Sequence, residues 1–408
     1  MQMLNTIDLF VGCGGLSEGF EQSGKYKMLG AVEWESAPVK ELRNHLERKW
    51  NIIDAEKRVL RFDIQRTDEL FAGWEDEIYG NSSGLDDILS GNTLDVIIGG
   101  PPCQAYSVAG RIRDEHGMRE DYRNYLFESY LKVVQHYKPK AFVFENVPGI
   151  LSARPGDGSM RIIDLIQKAF ADAGYVVLPD LSKAVVDMTD YGVPQNRKRI
   201  IILGLSKEFY GDKAEEMVQA FYSSYLPEYK VEKKSTVRDA IGDLPKLMPL
   251  EIPTAYNGRK LSHSLPEPMI NGHVSRFHSK RDIEVFKLLE EDIASGRMEY
   301  TRTDTLKELY TKLTGKSSNV HKYYVLRWDE PSNLIPAHLF KDGLRHIHPD
   351  PEQARSITVR EAARLQTFPD DYQFNCSQTD AFKMIGNAVP PLFARKLANA
   401  VYHLIQEN

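Results

Sequence analysis

An α/β fold built on a mostly parallel sheet, with a smaller irregular lobe inserted late, is what this 408-residue chain predicts. Three observations carry that prediction. Apolar, strand-like runs alternate with helical stretches through the first half of the chain. The alternation breaks after about Leu244, where Leu247 to Asn271 is rich in Pro, Gly, Ser and His. Regular signals then return, ending in a closing helix from Pro391 to about Ile405. In such doubly wound sheets ligands gather beyond the carboxyl ends of the strands, so the strand ends are where function is sought.

The first strand, Thr6–Phe10, runs into Val11-Gly12-Cys13-Gly14-Gly15. Glycines there permit a tight turn and a close ligand approach at a helix N-terminus. The spacing is not the dinucleotide G-x-G-x-x-G, since no third glycine stands at the required offset. The second strand, Met28–Val32, ends in Glu33-Trp34. An acid at that place suits ribose hydroxyls, and the neighbouring indole suits stacking on a base. The third, Val59–Phe62, ends in Asp63-Ile64, where the carboxylate can accept from an exocyclic amine. Any one of these acids alone reads better as a helix cap or a solvated loop. Three consecutive strand ends together point to an adenosyl cofactor.

The fourth strand, Leu94–Ile98, continues through Gly99-Gly100 into Pro101-Pro102-Cys103-Gln104. Two prolines fix φ and remove two backbone donors, so the turn is stiff and presents one cysteine as a candidate nucleophile. The competing reading is a buried structural thiol, a common fate for free cysteine. After the helical stretch Tyr122–Tyr137, the strand Ala141–Glu145 leads into Asn146-Val147-Pro148. Desolvation there should raise the Glu145 pKa and let it donate a proton. A helix over Arg161–Ala173 and strands at Val176–Leu178 and Arg199–Leu203 follow. In Gln195-Asn196-Arg197-Lys198-Arg199, strand alternation sets Gln195, Arg197 and Arg199 on one face as a row of donors. Thr236-Val237-Arg238-Asp239 and Thr358-Val359-Arg360-Glu361 both spell a capping box and predict helix starts.

Composition sets broad limits. A 42% hydrophobic and 27% charged chain is an ordinary globular protein, and its net charge of −6 announces no global affinity for nucleic acid. Any such surface must be a local patch. No apolar run reaches the ~18 residues of a membrane span, and the N-terminal segment reads as a strand rather than a secretory leader. Three widely spaced cysteines, Cys13, Cys103 and Cys376, indicate free thiols in a reducing cytoplasm.

The ordered motifs give a more specific reading. Asp8-Leu-Phe-Val-Gly-Cys-Gly-Gly15, Pro101-Pro-Cys-Gln104, Glu145-Asn-Val147 and Gln195-Asn-Arg-Lys-Arg199 come first. Arg360-Glu-Ala-Ala-Arg364-Leu-Gln366 with Phe368-Pro369, and Gly386-Asn387-Ala388-Val389-Pro390, complete the series. In their order and approximate spacing these resemble the bacterial-type DNA (cytosine-5)-methyltransferases over almost the whole chain. The only notable departure is Cys13 among the loop glycines.

The resemblance implies a class I S-adenosylmethionine-dependent methyltransferase fold and no metal. It implies a catalytic and cofactor-binding domain over 1–244, completed by 380–408, with a target-recognition domain and hinge over 245–379. Cys103 would attack C6 of cytosine, Glu145 would engage the N3 and N4 edge, Arg199 would hold the O2 side, and Arg197 would support the site. Phe10, Gly12, Gly14, Gly15, Leu16, Glu33, Trp34, Asp63, Ile64, Pro102, Leu126, Asn387 and Val389 would line the cofactor pocket. The partner would be double-stranded DNA, met by a cytoplasmic monomer whose restriction endonuclease, if present, acts separately. The target base must leave the stack for Cys103 to reach C6, and Ser107–Gly117, with arginines between glycines, is suited to close over it.

The inserted segment from about Pro245 to Arg345 is then where DNA sequence would be read. It groups Arg276, Lys280 and Arg281, and later Lys312, Lys316, Lys322 and Arg327 near Tyr323, Tyr324 and Trp328. Seven of the chain's 11 histidines lie between His263 and His348, yet His346-x-His348 lacks the acid or cysteine company of a metal site. Three other readings compete. An RNA cytosine-5 methyltransferase would carry a Cys-Phe-Thr in this lobe, which is absent. A catalytically dead DNA-binding protein is opposed by intact Cys103, Glu145 and Arg199, and a dehydrogenase by the glycine spacing.

Overall fold

The computed structural model describes residues 2–102, 126–154, 160–317 and 322–408, which fold as two compact units. The first comprises Met1–Gly192, Arg197–Lys233 and Ala388–Asn408, and the second Val193–Asn196 and Lys234–Asn387. These divisions differ from the expected 244/245 and 379/380 boundaries for physical reasons. The helix Val237–Ile241 is tied to the second unit by Val237 N–H donating to Glu330 O and Arg238 N–H to Trp328 O, both at 2.9 Å. The helix Gln378–Asn387 belongs there because Gly386 passes so close to Pro336 and Ala337 that a Cβ would meet their backbone at 2.4 Å.

In the first unit the strands are β1 (Leu4–Leu9), β2 (Tyr26–Glu33), β3 (Val59–Arg61), β4 (Trp74–Asp76), β5 (Gly80–Ser82), β6 (Val96–Gly99), β7 (Ala141–Asn146), β8 (Tyr175–Val176), β9 (Val185–Asp187) and β10 (Lys198–Ser206). The main sheet runs β3-β2-β1-β6-β7-β10-β8, with β9 paired to β10. β3, β2, β1, β6 and β7 are parallel, while β10 runs antiparallel to β7. Strand order reverses between β1 and β6, and that switch point is the crevice where such sheets bind ligands. The central strands are apolar runs because helices cover both faces: Ile97, Phe142, Val143, Ile201 and Leu203 have no exposed surface. The β4–β5 hairpin and β9 escaped the sequence reading because each strand is only three residues long.

Three helices bear on the strand ends: α1 (Gly15–Gln22), α2 (Leu126–Tyr137) and α3 (Pro391–Glu407). The described part of the expected Tyr122–Tyr137 helix is α2; 122–125 lie outside the described residues. The final helix packs along the first, so closely that a Cβ on Gly19 would meet Ala394 Cβ at 2.3 Å. This brings Ala388–Pro390 back to the start of the sheet.

The second unit has its own core, in which Val285, Phe286 and Leu289 of the helix Lys280–Ala294 meet Leu306, Leu309, Val325 and Ile347. Both capping boxes are formed: Thr236 and Thr358 each accept from the N3 amide and receive the acid three residues on. The segment read as irregular holds a hairpin, β11 (Pro249–Tyr256) and β12 (Arg259–His263). Its turn is Asn257-Gly258, with both φ angles positive at 49° and 75°, the conformation a two-residue hairpin loop requires. The Asn-Gly dipeptide was the signal, masked by Pro253 and by the bulge between Pro249 and Thr254.

Candidate active site

The sheet's register assembles the strand ends at the switch point. Leu9 of β1 stands opposite Gly99 of β6, and Gly99 opposite Phe144 of β7. The Phe10–Gly15 loop, the Gly100-Pro101-Pro102 turn and Glu145 therefore share one edge. Because β10 is antiparallel, its amino end reaches the same edge, with Ile201 opposite Glu145 and Ile200 opposite Asn146. Arg199 Nε lies 2.9 Å from Glu145 Oε1. The pair is largely shielded, with side-chain exposures of 11% and 12%, so a ligand can still reach it while bulk water is mostly excluded.

The proline turn is held against this pair. Asn146 Nδ2 donates to Pro101 O at 3.2 Å, and its Oδ1 accepts from Val147 N–H at 2.8 Å. A Cβ at Gly100 would come within 2.7 Å of Glu145 Oε2, so any larger residue would displace the carboxylate. Pro102 is the last described residue before Cys103, and Cys103 and the expected lid at Ser107–Gly117 lie outside the described residues.

The expected donor row of Gln195, Arg197 and Arg199 does not form, because the three side chains serve three partners. β10 begins only at Lys198, so Gln195 and Arg197 precede the pleat that would align them. Gln195 is buried in the second unit, where it donates to Gln366 Oε1 and accepts from Ile335 N–H at 3.0 Å. Arg197 is 1% exposed and donates through Nη2 to Ala388 O at 2.8 Å, anchoring the returning chain. Of the three, Arg199 is the one that meets Glu145.

Beside this edge the loop from β1 to α1 is tightly determined. Phe10 is held at φ 61°, a strained value for a residue with a side chain, and Gly14 at 80° precedes α1. Gly15 is required by proximity: a Cβ there would lie 2.3 Å from Val389 O and 3.0 Å from Ala388 Cβ. Leu16 is buried behind it in α1. Glu33 links the next strand end to this loop, since Oε2 accepts from Gly12 N–H at 2.9 Å. Its Oε1 accepts from Trp34 and Glu35 N–H at 2.8 and 2.9 Å. Burial raises the Glu33 carboxyl, and these amide donors oppose the rise. The Trp34 ring is 48% exposed, an open aromatic face beside the carboxylate. Asp63 caps its own turn through Gln65 N–H at 3.0 Å, Ile64 is buried, and Leu126 opens α2 with its side chain buried. Asn387 is exposed at the end of its helix and belongs to the second unit.

One residue acquires importance only in three dimensions. Asp8, in β1 beneath the loop, is 1% exposed and accepts from the Ser17 hydroxyl of α1. Burial pushes its carboxyl up to about 7. An acid amid Thr6-Ile7 and Leu9-Phe10 was the signal available in the sequence. Among the described residues, no cluster of His, Cys, Asp and Glu could hold a metal ion. The histidines of the second unit serve as structural partners instead, His346 bonding Leu334 O at 3.1 Å and His348 facing Glu361 at 3.5 Å.

The model of the C-5 cytosine-specific DNA methylase family matches residues 4–403. The chain belongs to that family. Its enzyme class is accordingly DNA (cytosine-5-)-methyltransferase. Over 98% of both chains it is 36% identical to a Type II methyltransferase, M.Bpa9945I, of Bacillus paralicheniformis. It is 29% identical to the Type II methyltransferase M.AgeI of Thalassovita gelatinovora, across 98% of this chain and 99% of that one. Among solved structures, the Dnmt2 methyltransferase of S. pombe superposes with a TM-score of 0.56 at 14% identity, covering 99% of both chains. A candidate DNA modification methyltransferase encoded within an E. coli prophage gives 0.65 at 23%, again over 99% of both. The fold is the class I S-adenosylmethionine-dependent methyltransferase fold.

Proposed function

We propose that the chain transfers a methyl group from S-adenosylmethionine to C5 of a cytosine within a specific short duplex DNA sequence. The observation that carries this reading is the convergence at one sheet edge of the Pro101-Pro102 turn, the Glu145–Arg199 pair and the glycine loop. C5 of cytosine is a poor nucleophile, which calls for a covalent step. The Cys103 thiolate bonds to C6, Glu145 holds the N3 and N4 edge and favours the ring protonated at N3, and the electron pair released toward C5 makes that carbon nucleophilic. Arg199, already paired to Glu145, holds the O2 side, while Arg197 fixes the returning chain. S-adenosylmethionine supplies an electrophilic methyl on a sulfonium. Transfer of the C5 proton to solvent, cleavage of the Cys103–C6 bond and release of the N3 proton then restore the aromatic ring and the thiolate.

The loop fits an adenosine-bearing cofactor. Phe10, Gly12, Gly14, Gly15 and Leu16 form a cradle closed by Val389, Glu33 faces it with a carboxylate for hydroxyls, and Trp34 offers an open ring. Asp63, Ile64, Pro102, Leu126 and Asn387 complete the proposed set. The second unit would read the DNA. No described helix is long and apolar enough to cross a membrane, and we place the protein in the cytoplasm as a monomeric modification enzyme, with any partner endonuclease acting separately.

The test is to incubate purified protein and labelled S-adenosylmethionine with plasmid DNA and, separately, with tRNA, and to map modified bases by bisulfite sequencing. Methylcytosine at one recurring short DNA motif is the expected result. Label confined to tRNA would overturn the DNA assignment, and no label in either despite cofactor binding would mark a binding protein.

A further inference from the structure

We infer that the β11–β12 ribbon of the second unit enters the DNA major groove, with Arg259 reading a base edge and Lys260 holding a backbone phosphate. This rests on the proposed function and names the residues through which it would select sequence.

The ribbon is built to meet a partner. From Glu251 to Lys260 every residue is exposed, and burial resumes only at Leu261. Ile252 is 78% exposed, and Tyr256 is also uncovered near the tip. A two-stranded ribbon has little stability alone, so one that leaves its apolar residues in water is poised for something else to cover them. Three consecutive pairs close the tip: Thr254 with Leu261, Ala255 with Lys260 and Tyr256 with Arg259. From Leu261 to the turn the ribbon spans about 10 Å at the usual rise per residue, and its strands stand about 5 Å apart. Those dimensions suit a major groove about 12 Å wide and about 8.5 Å deep.

Charge selects DNA as the occupant. The ribbon carries Arg259 and Lys260 against the single acid Glu251. Among the described residues Arg259 has neither an ion pair nor a side-chain hydrogen bond, so its planar donor fork is available for a guanine O6 and N7. Several other arginines of this unit are already engaged, while Arg345 is exposed as Arg259 is. Arg276 donates to Leu339 O and Phe340 O, Arg281 pairs with Asp282, Arg302 with Asp304, and Arg327 bonds Val325 O. The Arg276 and Arg281 cluster singled out in the sequence is therefore largely occupied by internal contacts.

Lys260 Nζ sits 4.7 Å from the Phe277 ring centroid, and Phe277 is itself 42% exposed. Tyr256, Asn257, Arg259, Lys260 and Phe277 together line an open cavity of about 470 Å³ beside the ribbon. A cation held over an exposed aromatic at the rim of such a groove suits a phosphate or sugar of a strand passing alongside.

The experiment compares wild type, Arg259→Ala and Lys260→Ala. Each is assayed for affinity for S-adenosylmethionine, and for methylation of a randomised duplex library with bisulfite readout. Wild type should methylate one motif. Arg259→Ala should lose about tenfold or more in rate at that motif and accept any base at one of its positions, with cofactor affinity unchanged. Lys260→Ala should weaken DNA binding uniformly across sequences and lower the salt slope by about one. If Arg259→Ala keeps both rate and motif, or slows all sites equally with no relaxation at any position, the base-reading assignment is overturned. Wild type that methylates no duplex DNA would instead overturn the proposed function, independently of the ribbon.

Discussion

Replacing Gly15 by alanine tests whether the glycine loop is a cofactor cradle closed by the returning chain. The added methyl would stand 2.3 Å from Val389 O, and ordinary contact begins at 3.4 Å, so one side must retreat by about 1.1 Å. The obstacle is a backbone carbonyl, which no side-chain rotation can remove. Forcing an extra carbon into a packed site costs about 1–3 kcal/mol. If that retreat opens the cradle, displacement of this size should cost affinity as well as stability. Calorimetric titration with S-adenosylmethionine should show at least tenfold weaker binding, together with a lower melting temperature. Gly19→Ala is the control, because its methyl would meet Ala394 Cβ at 2.3 Å and Arg395 N at 2.5 Å in the same helix pair, one turn from the loop. It should lose comparable stability with a smaller effect on affinity. A Gly15→Ala protein that binds the cofactor and melts as wild type does would refute the reasoning.

Other outcomes follow from the same geometry. Glu145→Gln keeps the shape beside Gly100 but removes the charge facing Arg199, so turnover should fall at least about a hundredfold while cofactor affinity holds; turnover within tenfold of wild type would contradict the assigned role. Acid should open the second unit first. Burial lowers His263 to about 4 and His278, His346 and His348 to about 3, so below the ordinary 6.5 the unfolded chain binds protons that the fold refuses. That contribution to stability is present above pH 6.5 and is lost as pH falls toward 4. Glu290, raised by burial to about 9, acts in the opposite direction but supplies one group against four. In the first unit Asp8 and Glu21, both raised by burial to about 7, strengthen the fold as pH falls through that value. Hydrogen exchange at pH 5 should therefore quicken across 234–387 before it does across 2–192, and the reverse order would contradict this balance.

The parts of the site written in local chemistry were legible in the sequence. The strand ends at Phe10, Glu33 and Glu145 were identified because an apolar run that stops at Gly, Pro or an acid marks its own edge. Both capping boxes were equally visible, since they satisfy four consecutive residues. What the sequence did not yield depends on pairing between distant segments. Nothing local to Gln195 shows that it bonds Gln366, 171 residues away, so alternation placed it in a row with Arg199 that the fold breaks. The Val389 carbonyl against Gly15 and the Asp8–Ser17 bond beneath the loop likewise arise from register and helix packing. The β11–β12 hairpin was missed for a different reason. Pro253 and the bulge around it interrupt the alternation that would otherwise lead into the Asn257-Gly258 turn.

The central claim, methyl transfer to cytosine C5 through a covalent bond from Cys103, is tested most directly with a duplex whose target cytosine carries fluorine in place of the C5 hydrogen. After methyl transfer no proton remains to be removed from C5, so the base cannot release the thiol. Incubated with S-adenosylmethionine and this duplex, wild-type protein should form a one-to-one complex that survives denaturing electrophoresis, with digestion locating the cross-link at Cys103. Cys103→Ser should form none while still binding the cofactor. Methylated product released without a stable complex, or a complex that persists in Cys103→Ser, would contradict the account.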